Sequence, residues 1–180
     1  MEKLEFDKNP LKGMSKVLMI VGIVGLGLEL IASIPVIGAF LWFVKMLADL
    51  CIWGAFAGVF LSLWKSASKI VSPGMLVTAF ALACACILFW FIGHIPLLWV
   101  LTIPGFLLLI ALGIVLVLSA PKYKEAGLVD FASKTQLLGI AVLLVGALSW
   151  IPIVGFLIEI FFFVAGLMYF MAYDKLFENK

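Results

Sequence analysis

Four charged residues lie inside long apolar runs of the chain: Glu29, Lys45, Asp49 and Glu159. A lone charge at the centre of a bilayer costs about 2.5 kcal/mol or more, so each of them needs a partner. Asp49 follows Lys45 by one helical turn. Glu29 and Lys45 lie at similar distances from the segment that joins the first and second apolar runs. The spacing therefore predicts an ion pair of Lys45 with Glu29 or Asp49. Glu159 has no basic residue in its own hairpin and either meets the membrane interface or joins this set.

Two interpretations of the charged set remain open. One is a cation or proton site near the middle of the membrane, and the other is a buried ion pair that fixes the register of packed helices. A water-accessible cavity would favour the first, and a closed, dry interface the second. His94, the only histidine, is a candidate proton relay or, alternatively, an interfacial residue hydrogen-bonded to water.

Motifs of common enzymes are absent from the sequence. It contains no Gly-x-x-x-x-Gly-Lys-Ser/Thr, no His-Glu-x-x-His and no Cys-x-x-Cys, and one histidine cannot build a multi-histidine metal or haem site. Cys84 and Cys86 fall on different faces of a helix, and with Cys51 they are expected to be small buried apolar residues. We therefore expect no catalytic residue, no metal and no cofactor.

The composition places these residues in a membrane protein. The chain has 180 residues, of which 66% are hydrophobic and 12% charged, and its mean hydropathy is +1.31; soluble domains have about a quarter charged residues. The chain contains lysine but no arginine. Without the planar guanidinium group, which binds phosphate through two hydrogen bonds, nucleic-acid binding is disfavoured. Six apolar runs predict an all-α bundle of about six transmembrane helices: 17–33, 39–64, 75–91, 105–120, 136–150 and 156–173.

These runs predict one transmembrane domain, residues 17–173, built from three helical hairpins. An N-terminal arm, residues 1–16, would lie in the cytoplasm or at the interface, without a cleavable signal peptide, and residues 174–180 would form a cytoplasmic tail. The predicted hairpins are 17–64, 73–120 and 135–173.

Lysines indicate the orientation of this domain. Eleven of the twelve lie in the two ends or in the second and fourth connections, which an even number of spans places on one side. The positive-inside tendency makes that side cytoplasmic and predicts a multi-pass protein of the cell membrane. Two interfacial aromatic belts are expected, from Trp42, Trp99 and Trp150 at one side and Trp64, Tyr123, Tyr169 and Tyr173 at the other.

An Ile-Pro-x-x-Gly pattern recurs between apolar runs, at Pro35 to Gly38 and at Pro152 to Gly155. Proline disfavours helix in the preceding residue and glycine tolerates unusual dihedral angles, so the pattern predicts tight apolar corners. The middle hairpin has a looser version, with Pro96 and Pro104. A diverged, triplicated hairpin is one explanation; the other is that any tight apolar corner has this pattern. Small residues, including Gly54 and Gly58, predict close helix packing.

The corners, especially that within residues 146–173, resemble a set of small archaeal and bacterial multi-pass membrane proteins of unknown function. Six short helices in about 180 residues also resemble, in architecture only, the substrate-binding subunits of energy-coupling-factor vitamin transporters. Neither resemblance implies functional residues here.

The expected function is that of a non-catalytic subunit of a membrane assembly, in contact with lipid and with other membrane subunits or further copies of itself. The alternative is a small transporter or channel for a cation, proton or small solute that uses the charged set. A lipid-modifying enzyme has the least support.

Overall fold

The computed structural model describes residues 11–34, 42–93 and 102–178, together with Val100. Within them the chain is all-α, without strands, and its six long helices are α1 (Ser15–Ala32), α2 (Trp42–Ala67), α3 (Pro73–Gly93), α4 (Thr102–Glu125), α5 (Val129–Leu148) and α6 (Pro152–Glu178). The corner residues Pro35, Gly38 and Pro96, the candidate relay His94 and most of the arm 1–16 lie outside the described residues.

Each of the six helices is long and apolar enough to cross a membrane. The shortest, α1, has 18 residues and the longest, α6, has 27, which at 1.5 Å per residue gives lengths of about 27 to 40 Å against a hydrocarbon core of about 30 Å. The predicted all-α bundle of six membrane-spanning helices is confirmed.

Helices α4 and α5 extend well beyond their apolar runs, into the lysine-rich connection between them. α4 continues through Pro121 to Glu125, and α5 begins at Val129. Lysine and glutamate are strong helix formers, so charge ends the apolar run without ending the helix. The two helices are then joined by a tight turn in which Gly127 has φ +85° and Leu128 N–H donates to Tyr123 C=O at 3.0 Å. This left-handed glycine closes the end of α4.

The helices pack in chain order, and α1 also packs against α6, which closes the arrangement into a ring. Aromatic side chains of α2 and α6 fill its interior. The rings of Phe56 and Phe170 stack with centroids 4.8 Å apart, and those of Trp53 and Phe162 with centroids 6.2 Å apart. Trp53 is thus packed between helices, as its mid-run position predicts.

The most extensive contact joins α4 to α5, across the boundary between the second and third predicted hairpins. A Cβ atom at Gly139 would lie 2.9 Å from the backbone nitrogen of Val117, and one at Gly113 would lie 2.8 Å from Gly139 C=O. Glycine is required here because the two backbones touch. In the predicted pair on α2, Gly58 lies against the Leu18 side chain, whereas a Cβ atom at Gly54 would meet nothing within 4 Å.

Two predictions about side-chain placement are wrong. Tyr123, Tyr169 and Tyr173 are buried in the bundle, not arranged in an interfacial belt, because they lie on inward faces of α4 and α6 against other aromatic rings. Cys84 is exposed on the outer surface while Cys86 is buried; an apolar thiol tolerates either environment. Trp150, 70% exposed at the opposite end, fits the expected belt there.

Candidate functional site

The charged set gathers at the end of the bundle where α1 and α5 finish and α2 and α6 begin, which we call the uncharged end. There Lys45 Nζ of α2 lies 2.9 Å from Glu29 Oε1 of α1. The Glu29 side chain is 8% exposed and that of Lys45 is 33% exposed. The predicted ion pair across the first connection is confirmed.

Asp49 and Glu159 belong to the same electrostatic group. The Lys45 ammonium interacts with the carboxyl groups of Glu29, Asp49 and Glu159, and the carboxyl groups also act on one another. Asp49 is buried one turn below Lys45 on α2. Three acidic side chains thus share one lysine, and the set is acidic when all four groups are ionised.

Members of the charged set lie at two distances from the helix ends. Glu29 is within the last turn of α1 and Lys45 within the first turn of α2. Asp49 and Glu159 each lie seven residues inside their helices, about 10 Å from the helix end. The depth predicted from the sequence was counted from a corner near Val36, which lies outside the described residues, so the mid-membrane placement stays a prediction.

A cavity of about 320 Å³ opens beside the ion pair, and its wall includes Lys45 and Glu159. The other lining residues come from the ends of α1, α5 and α6: Ala32, Ser33, Ser149, Gly155 and Phe156. Sequence reasoning did not assign the two serines to a site, although each stands next to an Ile-Pro-x-x-Gly pattern. The packing of α1 against α6 brings the two chain segments together.

Several buried oxygen atoms around this cavity have unused hydrogen-bonding capacity. Glu29 Oε2, Ser33 Oγ and Ser149 Oγ are buried and make no hydrogen bond to another part of the chain that the structure describes. Leaving such a group unsatisfied costs about 1–3 kcal/mol. Water or a small polar ligand in the cavity would supply the missing partners.

The corner between α5 and α6 differs from the prediction that its glycine adopts an unusual backbone angle. Pro152 is the first residue of α6, where its missing N–H costs nothing. Gly155 lies in the first turn of the same helix, and a Cβ atom there would lie 2.5 Å from Ser149 C=O. Glycine is needed for this close approach, not for an unusual backbone angle. Pro104 likewise lies in the first turn of α4.

Together these features define a multi-pass membrane protein with an open, ionisable cavity at one end of a six-helix bundle. Comparison with protein-family models, with curated proteins and with solved structures found no match.

Proposed function

We propose that the chain binds protons or a small cation in this cavity and moves them across the membrane. The observation that carries the proposal is that Lys45 and Glu159 line an open cavity while remaining in electrostatic contact with the buried carboxyl groups of Glu29 and Asp49. A purely structural ion pair needs no such access. Carboxyl groups near a water-filled cavity in a membrane domain are typical of ion and proton pathways.

The proton is the better supported of the two substrates. In the described residues no group of three or more histidine, cysteine or acidic side chains is placed so that it could hold a metal ion. The carboxyl groups all interact with the Lys45 ammonium, with which a second cation would compete. A proton that neutralises one carboxylate avoids this competition.

The orientation of the bundle belongs to the same proposal. Lysines flank the end opposite the cavity, where the α2–α3 and α4–α5 connections lie, and we call it the charged end. The positive-inside tendency favours the cytoplasm for the charged end and the outer side of the cell membrane for the cavity.

The test is proton flux into liposomes that contain the purified protein and a trapped pH-sensitive dye, driven by a potassium gradient with valinomycin. We expect flux several-fold above that of empty liposomes, lost in Glu159→Gln and kept in Glu125→Gln. Glu125 is the matched control because its side chain is 67% exposed at the charged end. Equal flux from wild type and Glu159→Gln would contradict the proposal, as would wild-type flux no greater than that of empty liposomes.

A non-catalytic subunit of a membrane assembly is the second candidate. It is favoured by α3, which has 22% of its membrane-spanning window buried, less than any other of the six helices. The connections described between helices, 68–72, 126–128 and 149–151, are also too short to form an aqueous domain. Purification in mild detergent, followed by mass spectrometry, would detect a partner at stoichiometric ratio if this candidate is right.

A further inference from the structure

All three tyrosines of the chain converge at one place, inside the charged end of the bundle. Tyr123 is 2% exposed, and Tyr169 and Tyr173 are fully buried. We call these three residues the tyrosine cluster. Tyr169 and Tyr173 lie toward the opposite end of α6 from Glu159, and the ten positions from Glu159 to Tyr169 correspond to about 15 Å along the helix.

Aromatic contacts hold the tyrosine cluster in place. The Phe131 ring of α5 contacts both Tyr123 and Tyr169, with centroid distances of 5.0 and 5.4 Å. The centroid of the Phe56 ring of α2 lies 6.0 Å from that of Tyr169. The Tyr173 side chain interacts with Ser62 of α2. Four helices, α2, α4, α5 and α6, therefore enclose a small polar region.

This region has unsatisfied polar atoms. Tyr169 Oη and Asp174 Oδ1 are buried and form no hydrogen bond with any other described residue. Asp174 follows Tyr173 directly and is 4% exposed. Buried polar atoms of native proteins are almost always hydrogen-bonded to protein or to ordered water, so their missing partner points to water.

An aromatic layer separates the tyrosine cluster from the cavity. Along α2, Trp53 and Phe56 lie between Asp49 and Ser62, and along α6, Phe162 lies between Glu159 and Tyr169. The Phe162 ring is 6.2 Å from that of Trp53 and 6.4 Å from that of Phe56. The layer divides the α2–α6 contact into two polar regions with an apolar barrier between them.

We propose that the tyrosine cluster and Asp174 hold ordered water and form the second polar station of the proton path, on the far side of the aromatic layer from the cavity. This inference rests on the proposed function and narrows its substrate to the proton. Hydroxyl groups both donate and accept hydrogen bonds, as a proton relay through water requires. A metal cation would need several oxygen ligands around it, and the described residues offer no such acidic group.

Hydroxyl-radical labelling tests the water site without any transport measurement. Short X-ray pulses split bound water, and the radicals oxidise side chains beside it, which mass spectrometry then locates. Phe170 is the internal control because it is adjacent in sequence, aromatic and equally buried. We expect Tyr169 to be labelled at least several-fold faster than Phe170. Equal labelling of the two residues would overturn the water site.

Stability gives a second, independent measurement. If Tyr169 Oη is hydrated, Tyr169→Phe leaves the melting temperature unchanged or lowers it. If the hydroxyl is dry and unsatisfied, its removal raises the melting temperature, and that result would overturn the proposal.

Flux then tests the connection to the cavity. We expect Tyr169→Phe to lower proton flux at least tenfold and Ser119→Ala to leave it unchanged. Ser119 is a buried hydroxyl that already donates to Leu116 C=O at 2.9 Å, on α4. If Tyr169 is labelled in the wild type but the Tyr169→Phe variant keeps full flux, the tyrosine cluster is not part of the proton path. Labelling without any wild-type flux would instead overturn the proposed function and, with it, the path, while the water site would stand.

Discussion

Lys45 Nζ lies 2.9 Å from Glu29 Oε1, although the two residues belong to different helices and the first connection of the bundle separates them. The two members of the pair differ in exposure. The Glu29 side chain is buried, whereas that of Lys45 is 33% exposed and lines the cavity.

Removing the lysine alone is expected to destabilise the bundle, because it leaves buried carboxylates without their cation. We expect Lys45→Met to lower the free energy of unfolding by about 2 kcal/mol, between the values for exposed and for fully buried pairs. Thermal or chemical unfolding in detergent measures the change. Lys69→Met, at an exposed lysine, is the matched control and should have no measurable effect.

The triple variant Lys45→Met, Glu29→Gln, Asp49→Asn is expected to recover much of that loss, since it removes the carboxylates together with their partner. Under the proposed function this folded variant no longer conducts protons. If the triple variant recovers stability and keeps full flux, the charged set has a structural role alone. If stability is not recovered, the amide side chains introduced at positions 29 and 49 lack hydrogen-bond partners.

Glycines at the α4–α5 contact are expected to tolerate no side chain. Gly139→Ala should lower the free energy of unfolding by about 1–3 kcal/mol, because its Cβ would meet backbone atoms that cannot move independently. Gly54→Ala is the control, since no atom lies within 4 Å of its Cβ position, and should be neutral or stabilising by up to about 1 kcal/mol. Equal effects from the two substitutions would contradict the close contact between α4 and α5.

Topology reporters test the orientation. Reporters fused after Lys180 or inserted near Lys69 or Lys124 should all report the cytoplasm, because lysines are retained on that side. Reporters near Val36 or Pro152 should report the opposite side. If both groups of reporters lie on the same side of the membrane, the six-span arrangement is contradicted. If the second group reports the cytoplasm and the first the outer side, the cavity opens to the cytoplasm instead.

Cysteine labelling tests the packing of α3. A membrane-permeant maleimide should react with Cys84 before Cys86, because Cys84 is exposed on the outer surface and Cys86 is buried against the core. Mass spectrometry of the peptide after short reaction times measures the two rates. Faster labelling of Cys86 would mean that α3 is rotated relative to its placement in the bundle.

Hydropathy and charge spacing were sufficient to predict the six helices, because a span requires a continuous apolar run and a lone buried charge requires a partner. The Lys45–Glu29 pair follows from the same reasoning. The exact ends of α1 and α2 do not follow, since an apolar connection does not differ in composition from an apolar helix.

The tyrosine cluster could not be predicted for a related reason. A tyrosine near the end of an apolar run fits an aromatic belt and a buried site equally well. The two differ only in the rotation of α4 and α6 about their axes, and for α4 that rotation is restricted by the contact of Gly113 with Gly139 of α5. A single sequence carries little information about which glycines face each other.

The closure of the ring has a consequence for biosynthesis. The cavity takes its lining from α1, α2, the end of α5 and α6, so its wall is incomplete until the last helix has left the ribosome and entered the membrane. Before that, the face of α1 that packs against α6 has no partner helix. An assembly intermediate of α1 to α5 therefore contains the lysine and its first carboxylate but lacks Glu159, the remaining ionisable residue of the cavity wall.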